Sequence, residues 1–152
     1  MGKAEALKFA EEGAKVVVAD LNENGAAAVV QEIKEKGGEA LAVKVDVTNL
    51  QDLENMVSET LTTFNQIDIV VNNAGIFDKY TNSLETTEEQ WDLVFNINLK
   101  AIYRISNLVL PHMIERGKGN IVNIASIAGL VAKWVELLIQ HQNMALLATR
   151  NT

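Results

Sequence analysis

Three observations predict an α/β domain built on a parallel sheet. Short β-branched runs such as Val16 to Ala19 and Ile67 to Val71 alternate with longer segments of helical period, the order that strands and crossover helices require. The chain has 152 residues, 48% apolar and 22% charged, which is near the average for one soluble domain with a core of its own. No internal repeat, linker or low-complexity stretch divides it.

The elements follow in order. The chain opens inside a helix, with Ala4, Leu7, Phe9 and Ala10 along one side and Gly13 where a left-handed residue closes it. Lys15 to Ala19 reads as a buried strand. Asn22 to Lys36 carries Ala, Val and Ile at helical spacing and ends on Gly37 and Gly38, and Ala40 to Val45 is the next strand. Asn49 to Phe64 is a third helix, its apolar stripe made of Leu50, Leu53, Met56, Val57 and Leu61. A strand at Asp68 to Val71 follows. Two helices fill Thr87 to Arg116, with Pro111 near the end of the second, and Asn120 to Ala125 is the last strand. Lys133 to Thr152 differs in composition: it holds no Gly, Asp or Pro, and nothing in it resembles a site.

Bulk properties exclude several function classes. The absence of cysteine removes disulfides, thiolate metal sites and cysteine nucleophiles, and fits a reducing compartment. A net charge of −7 with scattered basic residues argues against nucleic-acid binding, which draws its affinity from Lys and Arg clusters. The apolar runs are too short to span a bilayer, and no charged-then-apolar leader opens the chain. The expectation is a soluble, cytoplasmic protein with no metal site.

Chemistry is concentrated at strand ends. Asp20 ends the first strand, and Gly2 opens the preceding helix eighteen residues earlier. In a dinucleotide-binding βαβ unit the last glycine of the Gly-rich turn starts a helix whose N-terminus holds pyrophosphate. An acid about 20 residues on then accepts from the adenosine ribose hydroxyls. An ordinary turn acid fits the same position. Asp46, beside Val47, repeats the pattern at the next strand end, where an acid can accept from the adenine amino group. Asn72-Asn73-Ala74-Gly75 follows a buried strand that hands the chain into a crevice at the carboxyl edge of the sheet. Ala74 and Gly75 let the backbone approach a flat ligand, and the Asn amides can bridge neighbouring strand ends. A polar turn with Gly for positive φ is the plainer alternative.

Together with Asn96-Ile97-Asn98-Leu99 and Asn123-Ile124-Ala125-Ser126-Ile127-Ala128-Gly129, these motifs stand in the order and spacing of the short-chain dehydrogenases/reductases, which the chain resembles from Gly2 to Ala132. The resemblance implies a Rossmann-type doubly wound parallel sheet. It also implies hydride transfer between a nicotinamide cofactor and a small-molecule carbonyl or alcohol. The overall pattern is most similar to the 3-oxoacyl-carrier-protein reductase and glucose dehydrogenase branch. The cofactor contacts implied are Gly2, Asp20, Leu21, Asp46, Val47, Asn72, Asn73, Ala74 and Gly75. Ser126 matches the serine that polarises the substrate oxygen, and Asn98 the asparagine that holds a proton-relay water. Without the family, each would more often be a cap or a satisfied polar group. A carboxylate at Asp20 accepts from a 2′-hydroxyl and repels a 2′-phosphate, which favours NAD over NADP. Family members form homo-oligomers, partly through the helices after Thr87.

The chain departs from the family pattern at both ends. The first strand and its Thr-Gly-x-x-x-Gly-x-Gly turn are expected before Gly2; their absence leaves the sheet incomplete and removes most amides that cradle pyrophosphate. The family's Tyr-x-x-x-Lys falls on Ile139 and Asn143, so the general acid/base and its lysine are missing. Such a group contributes roughly 10² to 10⁴ in rate. A frameshift accounts for the tail. Taking the third base of one codon with the first two of the next, Trp134 into Val135 must give glycine, as must Met144 into Ala145. The tyrosine codon would then straddle Leu138 and Ile139, and the lysine codon Gln142 and Asn143. The expectation is therefore a partial NAD(P)-binding domain over residues 1–132 and an out-of-frame tail over 133–152.

Two readings of different class follow: a nicotinamide-dependent oxidoreductase, inactive as written, or a non-catalytic remnant or interaction subunit. A Rossmann methyltransferase also explains an acid after a strand but gives no reason for Asn72 to Gly75 together with Ser126.

Overall fold

A computed structural model describes residues 1–77 and 84–126. The elements run α1 (Gly2–Glu11), β1 (Val16–Asp20), α2 (Glu23–Glu35), β2 (Ala40–Lys44), α3 (Leu50–Phe64), β3 (Ile69–Asn72), α4 (Glu88–Phe95), a π-turn (Asn96–Lys100), α5 (Ala101–Glu115) and β4 (Asn120–Asn123). Residues 133–152, with Ile139 and Asn143, lie outside the described residues. The chain divides into two compact units. One is Met1–Ile69 with Asn107–Asn120; the other is the described part of Val70–Ser106 and Ile121–Thr152.

In the first unit β1 and β2 pair in parallel, from Val16 opposite Ala40 to Asp20 opposite Lys44. One further bond, Val45 N–H to the Asp20 carbonyl at 3.0 Å, extends the ladder to the strand ends. Because strand side chains alternate, Ala40 and Ala42 point to one face, where they meet a cluster of Ala6, Val29, Val30 and Ile33 from α1 and α2. Val43 and Val45 point the other way and are buried. There α3 packs on β2 and buries Leu53 and Val57. Helices thus cover both faces of the pair, the doubly wound arrangement. On α1 the buried residue is Ala6, with Leu7 and Ala10 partly buried, and Leu50 at the start of α3 is exposed.

Local chemistry sets the helix ends. The side chain of Asn22 accepts from Gly25 N–H and caps α2; Asn49 accepts from Gln51 N–H and caps α3; Thr87 accepts from Gln90 N–H and caps α4. After α2 the chain reverses through Gly37 at φ +84°, a conformation that costs other L-residues energy. Asn65 does the same for α3 at φ 63°.

β3 and β4 form a second two-stranded sheet. Asn120 N–H donates to the Asp68 carbonyl at 2.8 Å and Ile124 N–H to the Asn72 carbonyl at 3.0 Å. Both partners advance together along the chain, so this pair is also parallel. Among the described residues no ladder joins the two pairs. The sheet is incomplete, as its sequence predicts.

The region 88–115 departs from the expected two separate helices. It is one continuous helical run, because the residues between α4 and α5 include neither Gly nor Pro and keep right-handed backbone angles. The change of pitch is instead a π-turn, closed by Ala101 N–H on the Asn96 carbonyl.

Candidate functional site

The first group of predicted residues lies at the carboxyl ends of β1 and β2. Asp20 ends β1 opposite Lys44, two residues before Asp46, so the two acids stand at the same end of neighbouring strands. Asp20 is exposed, and its Oδ1 accepts from Asn22 N–H at 2.9 Å. Leu21 beside it is 64% exposed. Asp46 is more firmly held. Its Oδ1 accepts from both Thr48 N–H at 2.9 Å and Thr48 Oγ1 at 2.7 Å, and its own N–H donates to Asp52 Oδ2 at 2.9 Å. The Thr48 hydroxyl, then the Thr48 N–H, hold the Asp46 carboxyl below the usual aspartate range, against the opposing effect of burial. Val47 is half-buried between them. Each acid therefore commits one oxygen to the protein, and among the described residues its Oδ2 has no hydrogen-bond partner. Gly2 opens α1 in the same unit.

The second group lies in the other unit. Asn72, 7% exposed at the end of β3, donates from Nδ2 to Asn123 Oδ1 at 2.8 Å. The amide bridge between strand ends is thus formed, and Asn123 supplies its acceptor from β4. Asn73 N–H turns back onto the Val71 carbonyl at 3.1 Å, and Ala74 and Gly75 are exposed. Asn98 is buried in the π-turn and grips the backbone of one residue with both ends of its amide. Its Oδ1 accepts from Ile76 N–H at 2.8 Å, and its Nδ2 donates to the Ile76 carbonyl at 2.9 Å. Gly75 makes this approach possible: a Cβ there would lie 3.3 Å from Asn98 Oδ1. Ser126 follows β4 and is exposed.

Sequence reasoning missed Thr48, Asp52 and Ile76. The first two left a faint signal, a hydroxyl two residues and an acid six residues after Asp46; Ile76 acts through its backbone and left none. Among the described residues no cluster of His, Cys, Asp or Glu could hold a metal ion, and no helix is long and apolar enough to cross a membrane.

A family model described as short chain dehydrogenase matches residues 1–136. The chain belongs to the short-chain dehydrogenase family. Relatives within that family carry the names of dehydrogenases and reductases. The chain is 41% identical over 133 residues to 3beta-hydroxysteroid dehydrogenase 2 of Eggerthella lenta, covering 87% of this chain and 51% of that protein. It is 34% identical over 130 residues to the 3-oxoacyl-[acyl-carrier-protein] reductase of Thermotoga maritima, covering 86% and 52%. Among solved structures, a 7 alpha-hydroxysteroid dehydrogenase complexed with NADH and 7-oxo glycochenodeoxycholic acid superimposes with a TM-score of 0.89 at 32% identity, over 95% of this chain and 56% of that one. This short-chain dehydrogenase chain spans about half the length of the curated relatives it matches, and its fold is of their Rossmann type.

Proposed function

We propose that this chain carries the nucleotide-side part of an NAD-dependent oxidoreductase acting on a small carbonyl or alcohol. The observation that carries the reading is the pair of neighbouring strand ends at Asp20 and Asp46, each with one carboxylate oxygen uncommitted among the described residues, in a chain of the short-chain dehydrogenase family. Two acceptors there fit the hydroxyls of a ribose and the amino group of an adenine. Asp20, with Leu21, takes the ribose; Asp46, with Val47, takes the base. The negative charge of Asp20 disfavours a 2′-phosphate, which is the reason to prefer NAD over NADP. Gly2 sits at the helix end that faces pyrophosphate. Asn72, Asn73, Ala74 and Gly75 line the approach of the cofactor, Ser126 donates to the substrate oxygen, and Asn98 holds the water of a proton relay. The bound nicotinamide supplies the hydride chemistry.

A family tyrosine and lysine are replaced by Ile139 and Asn143, so this chain binds nucleotide without turning substrate over. We place the protein in the cytoplasm and expect it to self-associate as its family does. Thermal unfolding of the purified chain with NAD and with NADP tests the reading, followed by assays on alcohol and ketone panels. NAD should raise the midpoint, NADP should raise it less, and no turnover should appear. Equal indifference to both nucleotides would sink it. The nucleotide sequence around Lys133 tests the out-of-frame origin of residues 133–152, and codons incompatible with the shifted reading refute it.

A further inference from the structure

A carboxylate that reads a purine must stay an anion and keep one oxygen uncommitted. The 6-position of adenine presents an N–H donor, whereas that of hypoxanthine presents a carbonyl acceptor. An ionised aspartate accepts only, so it pairs with the first and repels the second. A carboxyl group that rotates freely, or that takes up a proton, loses that discrimination. The turn after β2 prevents both. Thr48 places two donors, its N–H at 2.9 Å and its hydroxyl at 2.7 Å, on the same oxygen of Asp46. Asp52, in the first turn of α3, takes the Asp46 N–H, and Asn49 N–H closes the turn on the Asp46 carbonyl at 2.9 Å. The backbone of Asp46 is thereby fixed at the strand end, and rotation about its side chain is restrained by two bonds converging on Oδ1.

We propose that Thr48 is a positioning residue for base recognition: its hydroxyl and N–H pin Oδ1 of Asp46, so that Oδ2 remains an oriented acceptor for the amino group of a 6-aminopurine. The proposal rests on the reading of Asp46 as the adenine contact. The depressed Asp46 pKa, caused first by the Thr48 hydroxyl, agrees with it.

The test titrates 5′-AMP and 5′-IMP into the full 152-residue chain and into Thr48→Val, Thr48→Ser and Asp46→Asn, with a melting curve on each to establish that it is folded. The parent chain should prefer AMP by roughly tenfold, the size of one hydrogen bond to a charged group. Thr48→Ser keeps the hydroxyl and should keep the preference. Thr48→Val should lower it to about threefold or less, because only the N–H still holds Oδ1. If the parent shows no preference, or Asp46→Asn leaves the preference unchanged, the adenine reading of Asp46 fails and the role of Thr48 falls with it. If Asp46→Asn abolishes the preference while Thr48→Val retains it, or if Thr48→Ser loses it too, the Thr48 proposal alone is overturned.

Discussion

Asn72 and Asn98 put the same side-chain type to two uses. Asn72 links two strand ends side chain to side chain; Asn98 grips the backbone of Ile76. Replacing Asn72 with Ala removes a buried amide and its bond to Asn123, whose exposed oxygen can turn to water, at a cost of about 0.5–1.5 kcal/mol, read from denaturant midpoints at unchanged slope. The bridging capacity of Asn72 was legible, because an amide at a strand end can reach the neighbouring strand end; the strand itself, expected to be buried, leaves Ile69 45% exposed. The grip of Asn98 was not legible, because its partner is backbone without side-chain identity. The dependence of that grip on Gly75 gives a second prediction. Gly75→Ala places a methyl 3.3 Å from Asn98 Oδ1, so the amide must yield by a few tenths of an ångström. The Asn98 side-chain NH₂ resonances should shift and exchange faster with solvent, and an unchanged spectrum would contradict the contact. Thr48 was passed over for a related reason: its importance lies in which oxygen its hydroxyl meets, and spacing alone does not specify that.

At the scale of elements, periodicity and capping residues located every strand and helix through α3 to within a residue or two, the ordinary uncertainty of helix and strand ends. Asn49 shows why. It is a side-chain acceptor immediately before an apolar stripe, and its Oδ1 takes the Gln51 N–H at 2.9 Å. Asn49→Ala should cost about 1 kcal/mol and lower the melting midpoint by a few degrees, whereas Asn49→Ser or Asn49→Asp should recover most of it. Leu50, next in line, keeps the spacing of the apolar stripe with Leu53 and Val57, but as the first residue of α3 it lies at the helix end and is 46% exposed. The π-turn was illegible altogether. An i to i+5 hydrogen bond requires no particular residue, and the buried residue of the turn is a polar one, Asn98.

For the molecule as a whole, alternation predicted the parallel order, and the expected incompleteness of the sheet is seen in two strand pairs that no ladder joins among the described residues. Arg116 secures the chain where β3 begins. It donates from Nη1 to the Ile67 carbonyl at 3.0 Å and from Nη2 to Asp68 Oδ1 at 2.7 Å. Arg116 is foremost among the groups that hold the Asp68 carboxyl below the ordinary aspartate range. A carboxyl depressed on folding stabilises the fold above its unfolded pKa, and that contribution is lost as pH falls through the folded value. For Asp68 the loss lies below about pH 4. Arg116→Met should therefore lower stability at neutral pH by about 0.5–1 kcal/mol, since the pair is partly exposed. The deficit should shrink on acidification through that window; a deficit independent of pH would show that the ion pair contributes nothing.

The π-turn at Asn96–Lys100 also constrains how this chain can change its length. One residue advances an α-helix by about 100°. Deleting Ile97 would turn the i to i+5 bond of Ala101 on Asn96 into an ordinary i to i+4 bond, and the lost step and the tighter pitch nearly cancel, so the buried Ala101 and Ile105 would keep their face relative to Val94. A one-residue change of length within α4 or α5 turns every later helix face by that angle, whereas the π-turn at Asn96–Lys100 can take up the loss of one residue through its change of pitch.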